Sequence, residues 1–347
     1  MNNNTTDDAV YIYKPDINHD PSSKDIAMSA YNFLKALSPP IKKRVVMKPN
    51  VTVPADPDSG IVTHPDFISG MIDYFREIGL SGEDIMVAEG GGSPEPHGMD
   101  PHFTQSGYVD MVRNHGVKLV NLNLDEIVPF RLAQAEFLKN IGIAKTVVDL
   151  DNYFINVPKY KTHNLAVTTL SMKNLMGTIV PVHTRHLCGI WKEYADRQSD
   201  ITSYGITLRE EHLCRKLCDL SLASRPDFNI IEGIIGRDGT AFHHGKNIQT
   251  NLVIGGKNVA SVDAVGSYLM GFDPSGIGYL KIASDRGIGC IDIDKIKIYE
   301  VCDGHVEHCD DINKFLSPIP FEVLAGDKQA RDIPLNKEMM ERIQLAV

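Results

Sequence analysis

The sequence predicts an α/β protein built on a mostly parallel, doubly wound sheet with helices on both faces, in one body or two subdomains. Three observations carry that expectation. Short β-branched runs alternate with longer segments of helical periodicity, and glycine or proline marks most junctions between them. The chain of 347 residues, 42% hydrophobic and 23% charged, is long enough to bury a large core. Strands separated by helices of that length need crossover connections, which favour parallel pairing and place helices over the sheet.

In chain order, strands are expected in Lys43 to Val51, Asp84 to Gly90, Val117 to Asn123, Asn152 to Pro158, Phe228 to Gly236, Thr250 to Gly256 and Asp294 to Glu300. The segment Asp66 to Gly79 sets Phe67, Met71, Tyr74, Phe75 and Ile78 on one helical face and stops at Gly79, with Thr63 or His64 before Pro65 as its cap. Val259 to Gly271 reads as a second such helix, and Ser38-Pro39-Pro40 and Ala241 to Gly245 read as loops. Residues 1–10 are polar and acidic and are expected to be a disordered start. An amino-terminal α/β half then covers 41–155, and a second half, 156–347, completes the site.

A formal net charge of −10 argues against a nucleic-acid partner, which calls for a basic face. The start lacks the apolar core of a signal peptide, and no run approaches the ~18 apolar residues of a membrane span. The expectation is therefore no membrane partner and a cytoplasmic location; a homo-oligomer is compatible with this composition. The six cysteines include no C-x-x-C pair, so neither a zinc ribbon nor an iron–sulfur cluster is expected. Cys214 and Cys218, four residues apart beside Leu213, Leu217 and Leu220, fit the buried face of a helix better than a metal site.

Function is sought in Val157 to His186, where Lys159, Lys161, His163, Lys173, His183, Arg185 and His186 crowd into 30 residues of an acidic chain. A Lys-x-Lys-x-His loop running into a helix would set two cations and an imidazole beside backbone N–H groups, a means of holding an anion or orienting a metal ligand. The structural alternative is a solvated basic turn. Ligands of parallel sheets bind at the carboxyl ends of strands, and Lys48-Pro49-Asn50, Glu89-Gly90-Gly91-Gly92, Lys159 to His163 and Arg237-Asp238-Gly239 all fall where a strand is expected to stop. The loop Glu89 to Gly98 has neither the Lys-Ser/Thr of a phosphate loop nor G-x-G-x-x-G spacing. Its glycines either turn the backbone tightly or let it approach a ligand, and Glu89 is a ligand or a group that orients one.

These landmarks, in the order Lys48-Pro49-Asn50, Thr63-His64-Pro65, Glu89-Gly90, Asn156-Val157-Pro158-Lys159 with Lys161-Thr162-His163, Ser171 to Gly177, Glu232 to Gly245 and Ser261 to Val265, resemble the family of proteins carrying domain of unknown function 362. The likeness spans roughly residues 44 to 290 and is most specific in PKxKTH plus KNLxG. Three departures stand out. The ferredoxin-like cysteine module of many members is missing, the family's acidic residue in the glycine-rich loop falls at Asp238, and the histidine expected after KNLxG has three claimants in His183, His186 and His212. More distantly, the layout is similar to the nickel-pincer-dependent lactate racemases, with Lys173, Gly177, Pro181 and His186 in the matching order. That likeness implies a lysine that anchors a cofactor and a histidine that ligates metal.

The resulting expectation is an enzyme acting on a small anionic metabolite with a divalent transition metal or a nickel-containing cofactor, by isomerase or racemase-like or redox chemistry. His64, His163 and Lys161 are the catalytic candidates; Lys159, Lys173, Asn174, Glu89, Gly90 and Gly91 the cofactor-binding ones; His183, His186, His212 and Asp238 the metal ligands. His64, Glu89, Lys161, His163 and Lys173 are expected to line one cleft. Lys173, among Leu170, Met172, Leu175 and Met176, is expected to need a carboxylate or a bound anion. The alternative is a non-catalytic ligand- or metal-binding protein.

Overall fold

The computed structural model describes residues 8–92 and 99–346. Of the expected disordered start, residues 1–7 lie outside the described residues, as do 93–98 of the glycine-rich loop; Val10 already opens a strand. Along the chain, β1 (Val10–Tyr13) and α1 (Ser23–Leu37) precede β2 (Arg44–Pro49), α2 (Pro65–Glu77) and β3 (Ile85–Glu89). Next come α3 (Asp100–Gln105), α4 (Tyr108–His115), β4 (Lys118–Asn121), a hairpin of β5 (Ile127–Arg131) and β6 (Asn140–Ala144), and α5 (Lys145–Val148). The middle of the chain holds β7 (Asn152–Val157), β8 (Lys159–His163), β9 (Val167–Thr168), α6 (Ser171–Asn174) and α7 (Leu208–Ala223). It closes with β10 (Phe228–Arg237), β11 (Asn247–Gly256), α8 (Val259–Leu269), α9 (Gly278–Asp285), β12 (Ile298–Cys302), β13 (His305–His308) and α10 (Lys337–Ala346).

The fold is α/β around one large, mostly parallel sheet. Among the described residues it holds 11 strands, ordered β13-β12-β1-β11-β10-β7-β2-β3-β4, with β8 pairing β10 and β9 pairing β8. The block β10-β7-β2-β3-β4 is parallel throughout, whereas β11 enters antiparallel to both its neighbours. The sheet runs without a break across the expected boundary at 155/156, which falls inside β7.

Period-two side-chain alternation explains why both faces are covered. Val45 and Met47 of β2 enter one core with Phe33 of α1 and Phe67, Met71 and Phe75 of α2; Val46, between them, enters the other with Leu213 and Leu217 of α7 and Val262 and Val265 of α8. A strand buried on both faces must be apolar throughout, which is what RVVMKP supplies until its last two residues. At Gly70 in α2 a Cβ would meet the backbone of Ala27 in α1, so glycine lets these helices touch. Both Cys214 and Cys218 are buried free thiols in the core.

Two local expectations are corrected. Lys159 to His163 is strand β8 rather than a loop running into a helix, because Tyr160 and Thr162 face the core while Lys159, Lys161 and His163 share the opposite face. Tyr160 packs on Phe321 and donates its hydroxyl to the Gly266 carbonyl. At the start of α2 it is His64, not Thr63, that caps, its Nδ1 accepting from Asp66 N at 3.2 Å. Thr63 instead ties two loops together, accepting from Asn50 N and donating to the Val157 carbonyl.

Candidate anion-binding cleft at the strand ends

The last residues of β2 and β3 break the apolar pattern of their strands, and their charges meet. Lys48 Nζ lies 2.6 Å from Glu89 Oε1, and each side chain is 1% exposed. Glu89 also accepts from Gly90 N at 2.8 Å and from Val51 N at 2.8 Å, so both its oxygens are engaged. Over this pair lies a cleft of about 80 Å³, room for a small ion or a few waters, walled by Lys48, Asn50, Glu89, Lys173, Asn174 and Arg185 with the glycines 90–92 and 177. The glycines have a steric reason: a Cβ at Gly177 would strike Glu89 Oε1 and Lys48, and one at Gly90 would strike the Gly177 carbonyl.

The far wall is the four-residue turn α6. Asp263 of α8 fastens its start, accepting from Ser171 N at 2.6 Å and Met172 N at 2.9 Å, while burial pushes the Asp263 carboxyl up to about 7. Asn174 fastens its end by donating to Asn156 Oδ1 and the Lys48 carbonyl. The turn thus presents Lys173 outward over the cleft, half-buried.

Lys173 differs from its neighbours in what its ammonium meets. Lys48 has Glu89, and Lys159 has Glu232 at 2.5 Å with side chains 2% and 1% exposed. Lys161 donates to the Ile61 carbonyl at 2.7 Å and lies over the Phe242 ring. Lys173 Nζ meets Met176 Sδ at 3.5 Å and Cys188 Sγ at 3.9 Å, and no carboxylate lies within ion-pair distance of it among the described residues. Among the described residues, then, the carboxylate expected beside Lys173 is not found.

Of the five residues expected in one cleft, Glu89 and Lys173 line it, and His64 does not. His64 lines a neighbouring cavity of about 320 Å³ with Lys159, Glu232, Asp58 and Asn247. Its capping of α2 commits Nδ1, which leaves the ring hydrogen on Nε2, 3.2 Å from Asp58 Oδ1. Lys161 and His163 are buried on β8 and line neither cavity. Burial first, then the charges of Lys173 and Lys159, push the Lys161 ammonium down to about 7. Burial with Lys173 and Lys161 holds His163 well below its usual range, and its Nδ1 accepts from Leu165 N and Ala166 N, closing the turn to β9.

The expected metal ligands do not assemble. His183 and His186 line a third cavity beside Cys188 and Arg185. His212 sits among Phe137, Tyr194 and Trp191, with burial lowering its pKa, and Asp238 accepts from Lys246 N at the mouth of the β10–β11 hairpin. Among the described residues the one group of three donors close enough to share an ion is Glu300, Cys302 and Glu307 on the β12–β13 hairpin, where Lys314 already pairs with Glu300 and the Cys302 thiol is pushed up to about 11. Among the described residues, His183, His186, His212 and Asp238 do not form a group of three donors close enough to share an ion.

Residues given no role by sequence reasoning do much of the positioning. Asn50 and Lys48 stood in a noted strand end, and Glu232 and Asp263 in noted motifs, yet only the structure shows that Glu232 meets Lys159 and that Asp263 holds the start of α6. Arg185 was counted as one more cation of a basic segment. Its guanidinium instead donates to the carbonyls of Gly90, Gly91, Gly177 and Ile179 and to Asn123 Oδ1, fastening the glycine loop to the turn after α6.

With this geometry in view, comparison with known proteins is informative. The family model described as domain of unknown function (DUF362) matches residues 45–268, which run from within β2 into α8 and include every residue of the cleft wall. A thylakoid-associated protein of Synechocystis sp. is 23% identical over 234 residues, 67% of this chain and 65% of that protein's length.

Proposed function

This chain belongs to the domain of unknown function 362 family, and from that premise and the cleft geometry we propose that it is an enzyme that binds a small anionic metabolite at the carboxyl ends of β2 and β3 and moves a proton on it. The observation that carries the reading is Lys173: a half-buried ammonium over a cleft that, among the described residues, lacks the carboxylate that Lys48 and Lys159 each have. A cation held away from bulk water without a counterion is destabilising unless something anionic completes it. On the cleft wall Lys48, Lys173 and Arg185 outnumber Glu89, so the local field favours a carboxylate or phosphoryl group.

The candidate for proton transfer is Lys161, which lies outside the cleft lining but feels the charge of Lys173 on the cleft wall, and which burial holds near 7, where it is shared between its two forms at neutral pH. Isomerase or racemase-like chemistry follows from that assignment. No helix among the described residues is long and apolar enough to cross a membrane.

A second reading, a protein that holds its ligand without turning it over, is favoured by the closure of Lys48 on Glu89, which leaves neither free for chemistry. The experiment is thermal melting of wild type and Lys173→Met with a panel of small carboxylates and phosphorylated metabolites, followed by deuterium incorporation from heavy water into each anion that stabilises. Stabilisation lost in Lys173→Met, with the ligand-free melting temperature kept, supports the cleft. Deuterium exchange then selects the enzyme and its absence the binder. If no anion shifts the wild-type melting temperature, the cleft is not an anion site.

A further inference from the structure

We propose that this cleft prefers anions that carry a hydroxyl hydrogen to anions that carry none, because its wall includes a residue whose buried hydrogen-bond acceptor has no donor among the described residues. The inference rests on the anion-binding reading above and adds the polarity of the ligand.

The acceptor is the open end of a relay of four buried asparagines. Asn229 donates through Nδ2 to the Gly256 carbonyl at 3.2 Å and the Lys257 carbonyl at 3.1 Å, so its Oδ1 must face the other way, where it accepts from Asn156 Nδ2 at 2.9 Å. Asn156 Oδ1 accepts from Asn174 Nδ2 at 2.8 Å, and Asn174 Oδ1 accepts from Asn50 Nδ2 at 3.1 Å. An amide can be turned over only if its neighbours tolerate the exchange of oxygen and nitrogen. Here neither end does. Two backbone carbonyls require nitrogen at one end of the relay, and the Lys48 ammonium, 3.2 Å from Asn174 Oδ1, requires oxygen near the other. Asn50 Nδ2 is further committed to Thr52 Oγ1 at 2.8 Å.

The direction of every dipole is thus set, and Asn50 Oδ1 is left over. Asn50 is 7% exposed, forms part of the cleft wall, and its Oδ1 has no partner among the described residues. The ammonium of Lys173 on the same wall holds the charge of an anion. Asn50 Oδ1 asks for a hydrogen on that same small ligand, since an acceptor facing the lone pairs of a fully deprotonated oxyanion gains nothing and repels it. The hydrogen has two chemical sources: the acid hydroxyl of a phosphoryl group, or a hydroxyl on the carbon next to a carboxylate.

Two matched pairs of probes separate these, measured by titration calorimetry on the full chain at pH 7. Phosphate carries a P–OH there and sulfate does not, although sulfate has the larger charge and would win on attraction to lysine alone; glycolate and acetate have equal charge and differ by one hydroxyl. The expectation is that the hydroxyl-bearing member of at least one pair binds about tenfold or more tightly, and that Asn50→Leu brings it down to its partner while leaving the weaker probe unchanged. The pair that discriminates names the source. Equal binding within both pairs overturns the preference and leaves the anion site standing, as does a preference that survives in Asn50→Leu. If none of the four binds, the anion site itself fails and the preference with it.

Discussion

Lys48 and Glu89 close on each other at 2.6 Å across adjacent parallel strands, each 1% exposed. Burial pulls the Lys48 pKa down and the Glu89 charge raises it again, so neither charge is tolerable there without the other. Lys48→Met and Glu89→Gln should each lose roughly 3–5 kcal/mol, the cost of stranding one buried charge, while the double variant should lose less than the sum. Urea unfolding of the four proteins closes the cycle. Additive losses would mean that the two groups act independently.

The same pair forbids a side chain at Gly177. A Cβ there would overlap Glu89 Oε1 and come within 2.6 Å of Lys48 Cε, and both atoms belong to groups pinned by burial and hydrogen bonds. Gly177→Ala should therefore cost about 1–3 kcal/mol, the range for overpacking, and reduce anion-dependent stabilisation. An unchanged denaturation midpoint would show that the pair can give way.

How far these residues could be read from the chain differs by scale. The seven expected strands all exist, because buried parallel strands are β-branched runs whose identity depends on local sequence; Ile85–Glu89 and Phe228–Arg237 are examples. Lys159–His163 was missed because its charges suggested a surface loop, although Tyr160 and Thr162 alternate with them at the period of a strand. The cleft was partly legible: Glu89 and the glycines after it were singled out for lying at a strand end, Lys173 and Asn174 for lying in the basic segment and its KNLxG motif, and all of them line it. Partner choice was not legible. That Lys159 meets Glu232, 73 positions away, or that Asn50, Asn174, Asn156 and Asn229 form one relay, follows from strand order and register, which no local pattern records.

Lys161 gives the pH dependence. Its folded pKa is about 7 against a usual value of 10.5, so between those limits the unfolded chain binds a proton that the folded one does not. Stability contributed by this group is therefore lowest below about 7 and rises with pH through that window, by at most about 1.4 kcal/mol per pH unit. Comparing unfolding free energies of wild type and Lys161→Met from pH 6.5 to 10 isolates the term. Their difference should shrink steadily as pH rises, and parallel curves would place the lysine in a polar setting where its proton is not in contest.

Arg185 supplies the sharpest test of positioning. Its buried guanidinium, held down to about 10 by burial, donates to the Gly91 carbonyl at 2.6 Å, Asn123 Oδ1 at 2.7 Å, the Gly177 carbonyl at 3.1 Å and the Ile179 carbonyl at 2.7 Å, as well as to Gly90. These acceptors belong to separate segments: the loop after β3, the turn after β4 and the chain leaving α6. A planar fork can serve all of them at once, whereas an ammonium is a single point with three donors. Arg185→Lys keeps the charge but strands at least two buried carbonyls, at about 1–3 kcal/mol each. The expected result is a loss of roughly 2–6 kcal/mol in unfolding free energy, with anion-dependent stabilisation weakened further than in Lys173→Arg, which keeps a cation on the cleft wall. Arg185→Met should lose more still, because it removes charge and donors together. Circular dichroism melts of the three variants with and without the anion distinguish the cases, and a lysine variant as stable as wild type would show that Arg185 acts through its charge rather than its fork.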